Sequence, residues 1–124
     1  MLTVVQAEAV AGKGLKGDRS FGQPKRQVLL VSSQVLDSLD LSPGVIRENV
    51  TTVNLDVDDL APGTILKIGS AEFEITIPCE PCWKMDRIRS GLQADLKGQR
   101  GVFAIVIKSG RIGIGDTIQI HSAS

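Results

Sequence analysis

Two alternating segments joined by a two-residue turn do most to restrict what this chain can fold into. Residues 64–68 and 71–77 flank Gly69-Ser70, a pair suited to a tight hairpin turn. In the second arm Ala71, Phe73, Ile75 and Ile77 face one way, and Glu72, Glu74 and Thr76 the other. Side chains alternate across a strand, so one face is core and the other meets water.

The rest of the chain continues in the same style. Residues 2–5 are apolar and β-branched and predict a first strand. Residues 11–24 hold four glycines and a proline and predict a long loop. Residues 27–32 (QVLLVS) read as a buried strand. Ser33 is placed to cap a short helix with Val35, Leu36 and Leu39 on its apolar face, stopped by Leu41-Ser-Pro-Gly44. Residues 50–55 alternate as a half-buried strand does. Met85, Ile88, Leu92 and Leu96 have helical spacing, split into two pieces at Gly91. Residues 102–107 (VFAIVI) are unbroken apolar, the pattern of a strand buried on both faces. Residues 111–121 complete a β-rich end with Gly115-Asp116 as a turn. About eight strands with short connections and two or three short helices predict a closed or nearly closed β-barrel. The 124 residues fit a single domain over 1–124.

Composition narrows the function classes. Fourteen basic and fourteen acidic residues cancel, so net charge gives no electrostatic case for nucleic acid or an anionic membrane as partner. The four aromatics, Phe21, Phe73, Trp83 and Phe103, are too few for base-stacking platforms. Residues 1–10 include Glu8 and lack the basic-then-apolar pattern of a signal peptide. No apolar run nears the ~18 residues of a membrane span. With two cysteines, a disulfide scaffold is excluded. A reducing, cytoplasmic location is expected.

Three features bear on chemistry. Gly12-x-Gly14-x-x-Gly17 matches a dinucleotide fingerprint, but no helix or βαβ unit follows to hold a pyrophosphate, and NAD is not expected. The loop still places Lys13, Lys16 and Arg19 among glycines that allow close approach to an anion, with Arg26 and Arg47 as candidates to converge on it. The competing reading is a glycine-rich connector with solvated lysines. Arg47-Glu-Asn-Val-Thr-Thr52 offers donors and acceptors for a heterocycle or phosphate, or is an ordinary strand entry.

Cys79-Glu-Pro-Cys82-Trp-Lys84 admits several readings. Zinc requires four ligands, or three and a water; with His121 as the one histidine, zinc is not expected. A thioredoxin-type redox dithiol sits in a βαβ context, which is absent. A single working thiolate at Cys82, with Lys84 and Arg87 downstream to favour its ionised form, could ligate a transition metal or carry sulfur as a persulfide. Two inert cysteines at a strand-to-helix corner fit the pattern equally. His121 reads as structural, and Asp56, Asp58 and Asp59 as a solvated turn.

Gly14-Leu-Lys-Gly-Asp-Arg19, Arg26-Gln-Val-Leu-Leu30, Arg47-Glu-Asn-Val50, Pro62-Gly63, Leu66-Lys-Ile-Gly69, Pro81-Cys-Trp-Lys84, Arg100-Gly101 and Gly115-Asp116 follow one another in an order that resembles the MOSC domain, named for the C-terminal domain of molybdenum-cofactor sulfurases. The resemblance spans nearly the whole chain. It implies a β-barrel core of the pyruvate-kinase-barrel type and chemistry linked to molybdenum cofactor (molybdopterin). Family members include sulfurase C-terminal domains, amidoxime-reducing enzymes and small stand-alone proteins. Pro81-Cys82 matches the family cysteine, so Cys82 inherits the metal-ligand or persulfide role as the catalytic residue. Arg19, Arg47 and Asn49 become candidates for the pterin and its phosphate; Lys13, Lys16, Arg26 and Lys84 join them by charge and location. The aminotransferase-like domain of the sulfurases is absent, so pyridoxal phosphate is not expected. A cofactor-synthesis protein or sulfur donor is the implied partner. Outside that resemblance, a non-catalytic small-molecule or partner-binding barrel and a C-x-x-C thiol oxidoreductase remain open.

Overall fold

The computed structural model describes residues 6–18, 20–42, 46 and 48–121. The strand expected over residues 2–5 lies outside them. The described chain begins with β1 (Gln6–Val10), whose partner β2 (Gly14–Leu15) lies inside the predicted loop. Then come β3 (Val28–Ser32), α1 (Ser33–Ser38), β4 (Val50–Thr52), a 3₁₀ turn (Val57–Asp59), β5 (Ile65–Ile68) and β6 (Ala71–Pro78). Two four-residue helices follow, α2 (Met85–Ile88) and α3 (Leu92–Asp95), before β7 (Val102–Lys108), β8 (Gly110–Gly113) and β9 (Ile118–His121).

The strands form two sheets. One has the order β2-β1-β8 and the other β4-β3-β7-β6-β5-β9. All pairs are antiparallel except β3 with β4. The expected hairpin is β5–β6, with Ile68 opposite Ala71 across Gly69-Ser70. Gly69 sits at φ +56, the left-handed region a tight hairpin turn uses. The sheets enclose one apolar cluster that includes Leu15, Val28, Leu30, Leu66, Phe73, Ile75, Val106 and Ile112. The barrel is nearly closed: β4 and β9 remain as unpaired edges of the larger sheet.

A second cluster forms on the outside of β3. Leu29 and Val31 meet Val35 and Leu36 of α1, Met85 of α2, and Leu92 and Leu96. This explains why all five residues of β3 are buried, as its sequence predicts. It also explains where the expectation for residues 102–107 fails. Val102, Ala104 and Val106 are buried, but Phe103 and Ile105 are half-buried and Ile107 is exposed. The helices cover the outer face of β3, and of β7 they reach only the Phe103 end.

Other local departures have physical causes. Ser32, not Ser33, is the residue before α1, and its hydroxyl does not cap the helix. It donates to the Leu55 carbonyl and accepts from the Val57 N–H, both at 2.9 Å, which pins the 55–57 segment to β3. The strand predicted to run to residue 55 stops at Thr52, and Asn54 turns through φ +60. The split at Gly91 stands, with φ +86 between α2 and α3.

The aspartates at 56–59 are not uniformly solvated. Asp58 is half-buried, and its Oδ1 accepts the Gly101 N–H at 3.0 Å, while its Oδ2 is buried without a partner. Burial raises the Asp58 pKa above its ordinary 3.8; the Gly101 hydrogen bond opposes the rise, and Asp56 and Asp59 add to it. A raised folded-state pKa means that the folded chain holds the proton more tightly than the unfolded one. Stability is therefore lost as pH climbs through that pKa. Asp58→Asn keeps the acceptor and removes the charge. It is expected to be more stable than wild type at neutral pH, with the advantage vanishing below the ordinary aspartate pKa. Urea titrations at the two pH values check this; an advantage that persists in acid sinks it.

Candidate functional site

The site is built where β6 ends. Pro78 pairs with Val102 across to β7, and the next N–H, of Cys79, donates to the Gly101 carbonyl at 2.9 Å. Proline supplies no further donor, and the chain leaves the sheet. Cys79 is half-buried and packs against the outer apolar cluster. Its thiol lies 3.9 Å from the Glu80 carbonyl oxygen. Burial pushes the Cys79 pKa up, against the opposing pull of the Arg100 and Arg26 charges.

Cys82 is exposed. Its carbonyl accepts the Met85 N–H at 2.9 Å and that of Trp83 accepts the Asp86 N–H at 3.1 Å, so residues 82–86 form the turn that enters α2. Gln93 braces this turn: its N–H donates to Asp86 Oδ1 at 2.9 Å, and its Nε2 reaches the Pro81 carbonyl at 3.4 Å. Arg87 stacks 4.6 Å from the Trp83 ring centroid, a cation–π contact that engages its charge. Lys84 is exposed beside Cys82. Cys82 thus stands on a braced turn rather than within a helix.

Arg100 is the feature that sequence reasoning missed. It is 7% exposed. Its Nη2 donates to the Ile46 carbonyl at 2.7 Å, and its Nη1 is buried with no acceptor. Among the described residues no carboxylate pairs with it. The Arg100-Gly101 step therefore ties three segments together: Ile46 through the side chain, and Asp58 and Cys79 through the Gly101 backbone. Arg26 adds a second cation, 5.7 Å from the Phe103 ring centroid. The Thr76 hydroxyl contacts the Lys25 carbonyl at 2.7 Å and the Phe103 carbonyl at 3.1 Å, which holds that segment against the sheet.

The other candidates fall into a second group. Asn49 donates its N–H to the Leu29 carbonyl at 2.9 Å, accepts the Leu29 N–H on Oδ1 at 2.7 Å, and donates Nδ2 to Asp18 Oδ1 at 2.9 Å. Its amide is committed at both ends and fastens the glycine-rich loop to β3. Asp18 Oδ2 also accepts the Ser20 N–H at 2.9 Å, which turns the loop there. Lys16 pairs with Glu8 at 3.4 Å in the open, worth at most about 1 kcal/mol. Lys13 is exposed, and its carbonyl accepts the Gly22 N–H at 2.6 Å. No hydrogen bond or ion pair joins Lys13 or Lys16 to residues 79–84 among the described residues. Arg19 and Arg47 lie outside the described residues. Glu48 is buried, and its Oε2 accepts the Thr51 hydroxyl at 3.2 Å.

One exposed thiol, Cys82, is open to a metal approaching from solvent, with the exposed Lys84 two residues on. Among the described residues no three His, Cys, Asp or Glu side chains gather as a metal cage. An apolar groove of about 360 Å³ lies at the open seam, between Val50 and Val53 on one side and Ile112, Ile114 and Ile118 on the other. It contains none of these candidates. No described helix is long and apolar enough to cross a membrane.

Comparison with known proteins adds the following. A family model described as the MOSC domain matches residues 17–119. The YuaD protein from Bacillus subtilis superposes with a TM-score of 0.82 at 20% identity, over 98% of this chain and 87% of that one. YiiM from Escherichia coli gives 0.76 at 21% identity, covering 96% of this chain and 63% of that one. YiiM from Geobacillus stearothermophilus gives 0.71 at 21%, covering 78% and 55%. The chain thus spans less than two thirds of either YiiM chain. At these identities the likeness is one of fold. No curated protein matches the sequence.

Proposed function

The chain belongs to the MOSC domain family, which is associated with molybdenum-cofactor sulfurase-like function, and we propose that it binds that cofactor, or carries sulfur to or from it, through Cys82. The observation that carries this reading is the placement of Cys82: an exposed thiol on a hydrogen-bonded turn, beside Lys84, on the same short loop as a second, half-buried thiol. A thiolate is the reactive form both as ligand and as sulfur carrier. Coordination to a metal deprotonates the thiol outright.

When bound, the cofactor would supply a molybdenum centre able to accept or donate sulfur. The protein's own part is to hold and orient it. Lys13, Lys16, Arg19 and Arg47 supply charge for a phosphate, and Lys84 supplies charge beside the thiol. The Asn49–Asp18 bond at 2.9 Å acts one step removed, fixing the basic loop to the barrel. Arg26 lies on the cysteine side instead. The activity fits a sulfur transferase or a component of a molybdenum-dependent reductase. A cofactor-synthesis protein or sulfur donor is the natural cytoplasmic partner for such a domain, taken as one unit over residues 1–124.

The test is cofactor loading. Purified wild type and Cys82→Ser are mixed with isolated molybdenum cofactor and desalted, and molybdenum per chain is measured by elemental mass spectrometry. Wild type is expected to hold close to one metal per chain and the variant almost none. Equal loading of the two ends the ligand role of Cys82. No metal in either leaves the persulfide role, which the sulfur-transfer experiment below measures separately.

A further inference from the structure

We propose that Cys79 is a second working thiol that resolves sulfur carried on Cys82, closing a Cys79–Cys82 disulfide and expelling the carried sulfur as hydrosulfide. The inference rests on the reading of Cys82 as a persulfide carrier and goes beyond it, because it assigns a reaction to the half-buried cysteine.

Three observations support it. The first is spacing. Cys79 and Cys82 are both free and bracket one Glu-Pro dipeptide, the span across which C-x-x-C pairs exchange between dithiol and disulfide. The second is asymmetry. Cys82 is open to a sulfur donor, whereas Cys79 is half-buried and fixed by its backbone to Gly101, shielded as an attacking thiol needs to be until its target forms beside it. The third is Arg100. Arg100 is 7% exposed and donates Nη2 to the Ile46 carbonyl, and among the described residues its Nη1 meets no acceptor and no carboxylate pairs with it. A buried charge without an anionic partner is costly, and an anion forming nearby lowers that cost. Arg100 precedes the residue that holds Cys79; burial raises the Cys79 pKa overall, and the Arg100 charge, followed by that of Arg26, opposes the rise. When Cys79 ionises to attack, those two charges assist the formation of its thiolate.

The chemistry balances. The Cys82 thiolate attacks the terminal sulfur of an external polysulfide or protein persulfide; the donor's S–S bond breaks, a polysulfide one sulfur shorter or the donor's thiolate leaves, and Cys82–S–SH results. The Cys79 thiolate attacks the inner sulfur. The bond between the inner and outer sulfur breaks, and the outer sulfur, keeping its own proton, leaves with the bonding pair as hydrosulfide; the proton that Cys79 gave up on becoming a thiolate goes to solvent. The carried sulfur is reduced and the two cysteines are oxidised to a disulfide. An external thiol reductant then restores the dithiol.

The experiment treats wild type, Cys79→Ser and Arg100→Gln with inorganic polysulfide, removes the excess, and follows intact mass and released sulfide over time. Wild type is expected to lose its added sulfur, release about one sulfide per chain and end two hydrogens lighter. Cys79→Ser is expected to keep the sulfur on Cys82, and Arg100→Gln, which removes a charge that favours the Cys79 thiolate, to resolve it more slowly than wild type. Two outcomes overturn the proposal: sulfide released from Cys79→Ser as fast as from wild type, or wild type holding a stable persulfide with Cys79 still free. If Cys79→Ser never takes up sulfur, the underlying reading of Cys82 as carrier fails, and the proposal with it. The wild-type arm alone reports the disulfide even where a variant folds poorly.

Discussion

Gly101→Ala is expected to destabilise the protein by about 2–5 kcal/mol and to speed alkylation of Cys79 in whatever remains folded. Two penalties combine. Gly101 sits at φ +105, where a Cβ costs about 1–2 kcal/mol. The added carbon would also meet the Leu30 carbonyl oxygen, with Val31 Cγ2 at 2.8 Å. Leu30 is wholly buried and pairs with Val50 on one side and Val102 on the other, so its backbone has nowhere to move. Forced overpacking of this kind costs about 1–3 kcal/mol. The natural control is Gly91→Ala. Gly91 has a similar φ of +86, but nothing stands within 4 Å of its Cβ position, so only the conformational penalty applies there. Urea unfolding with unchanged slope measures both. Equal losses for the two variants would mean that Gly101 is not pressed against β3.

The functional consequence follows from the backbone of the same residue. The Gly101 carbonyl holds Cys79 and its N–H donates to Asp58. A shift of the Gly101 backbone strains both bonds and weakens the tie between the cysteine loop and the sheet. The barrel and the candidate site are therefore not separable modules.

Why some of this was legible in the sequence and some was not comes down to range. The β5–β6 hairpin is a local object, in which alternation and a two-residue turn are sufficient, and it appears where expected. β3 reads as a buried strand because five consecutive apolar or small residues say so, and the outer cluster covers its second face. β7 has an equally apolar run but is covered only near Phe103, and no local pattern reports which strand the helices choose. The Cys79-x-x-Cys82 loop was visible, yet the difference in exposure between its two thiols depends on the outer cluster. Arg100 was visible only as part of a motif. Arginine is mostly a surface residue, and nothing nearby in sequence announces that its partner is Ile46, 54 residues away. Asn49 was selected as a ligand for the right reason, its polar amide, but that amide is already committed to β3 and to Asp18.

That commitment leads to the second large effect. Asn49→Asp is expected to destabilise the protein by about 1.5–3 kcal/mol with no cofactor present, the worth of a hydrogen bond to a charged group. The new carboxylate can still accept the Leu29 N–H, which Oδ1 now accepts at 2.7 Å, but the Nδ2 donor that meets Asp18 Oδ1 at 2.9 Å becomes an oxygen. Two carboxylates then face each other, which raises the pKa of the pair in the folded state. By the linkage sign, the penalty is present at neutral pH and is relieved as pH falls below the ordinary carboxylate range. Asn49→Ala separates the contributions: it leaves the Leu29 N–H without its side-chain acceptor and should show no recovery in acid. A residue whose only task is to bind pterin would leave stability unchanged in both variants. Loss of stability in the cofactor-free protein, with recovery in acid for aspartate alone, instead marks Asn49 as the residue that fastens the basic loop to the barrel, and makes any effect of Asn49 on cofactor loading an effect of loop position.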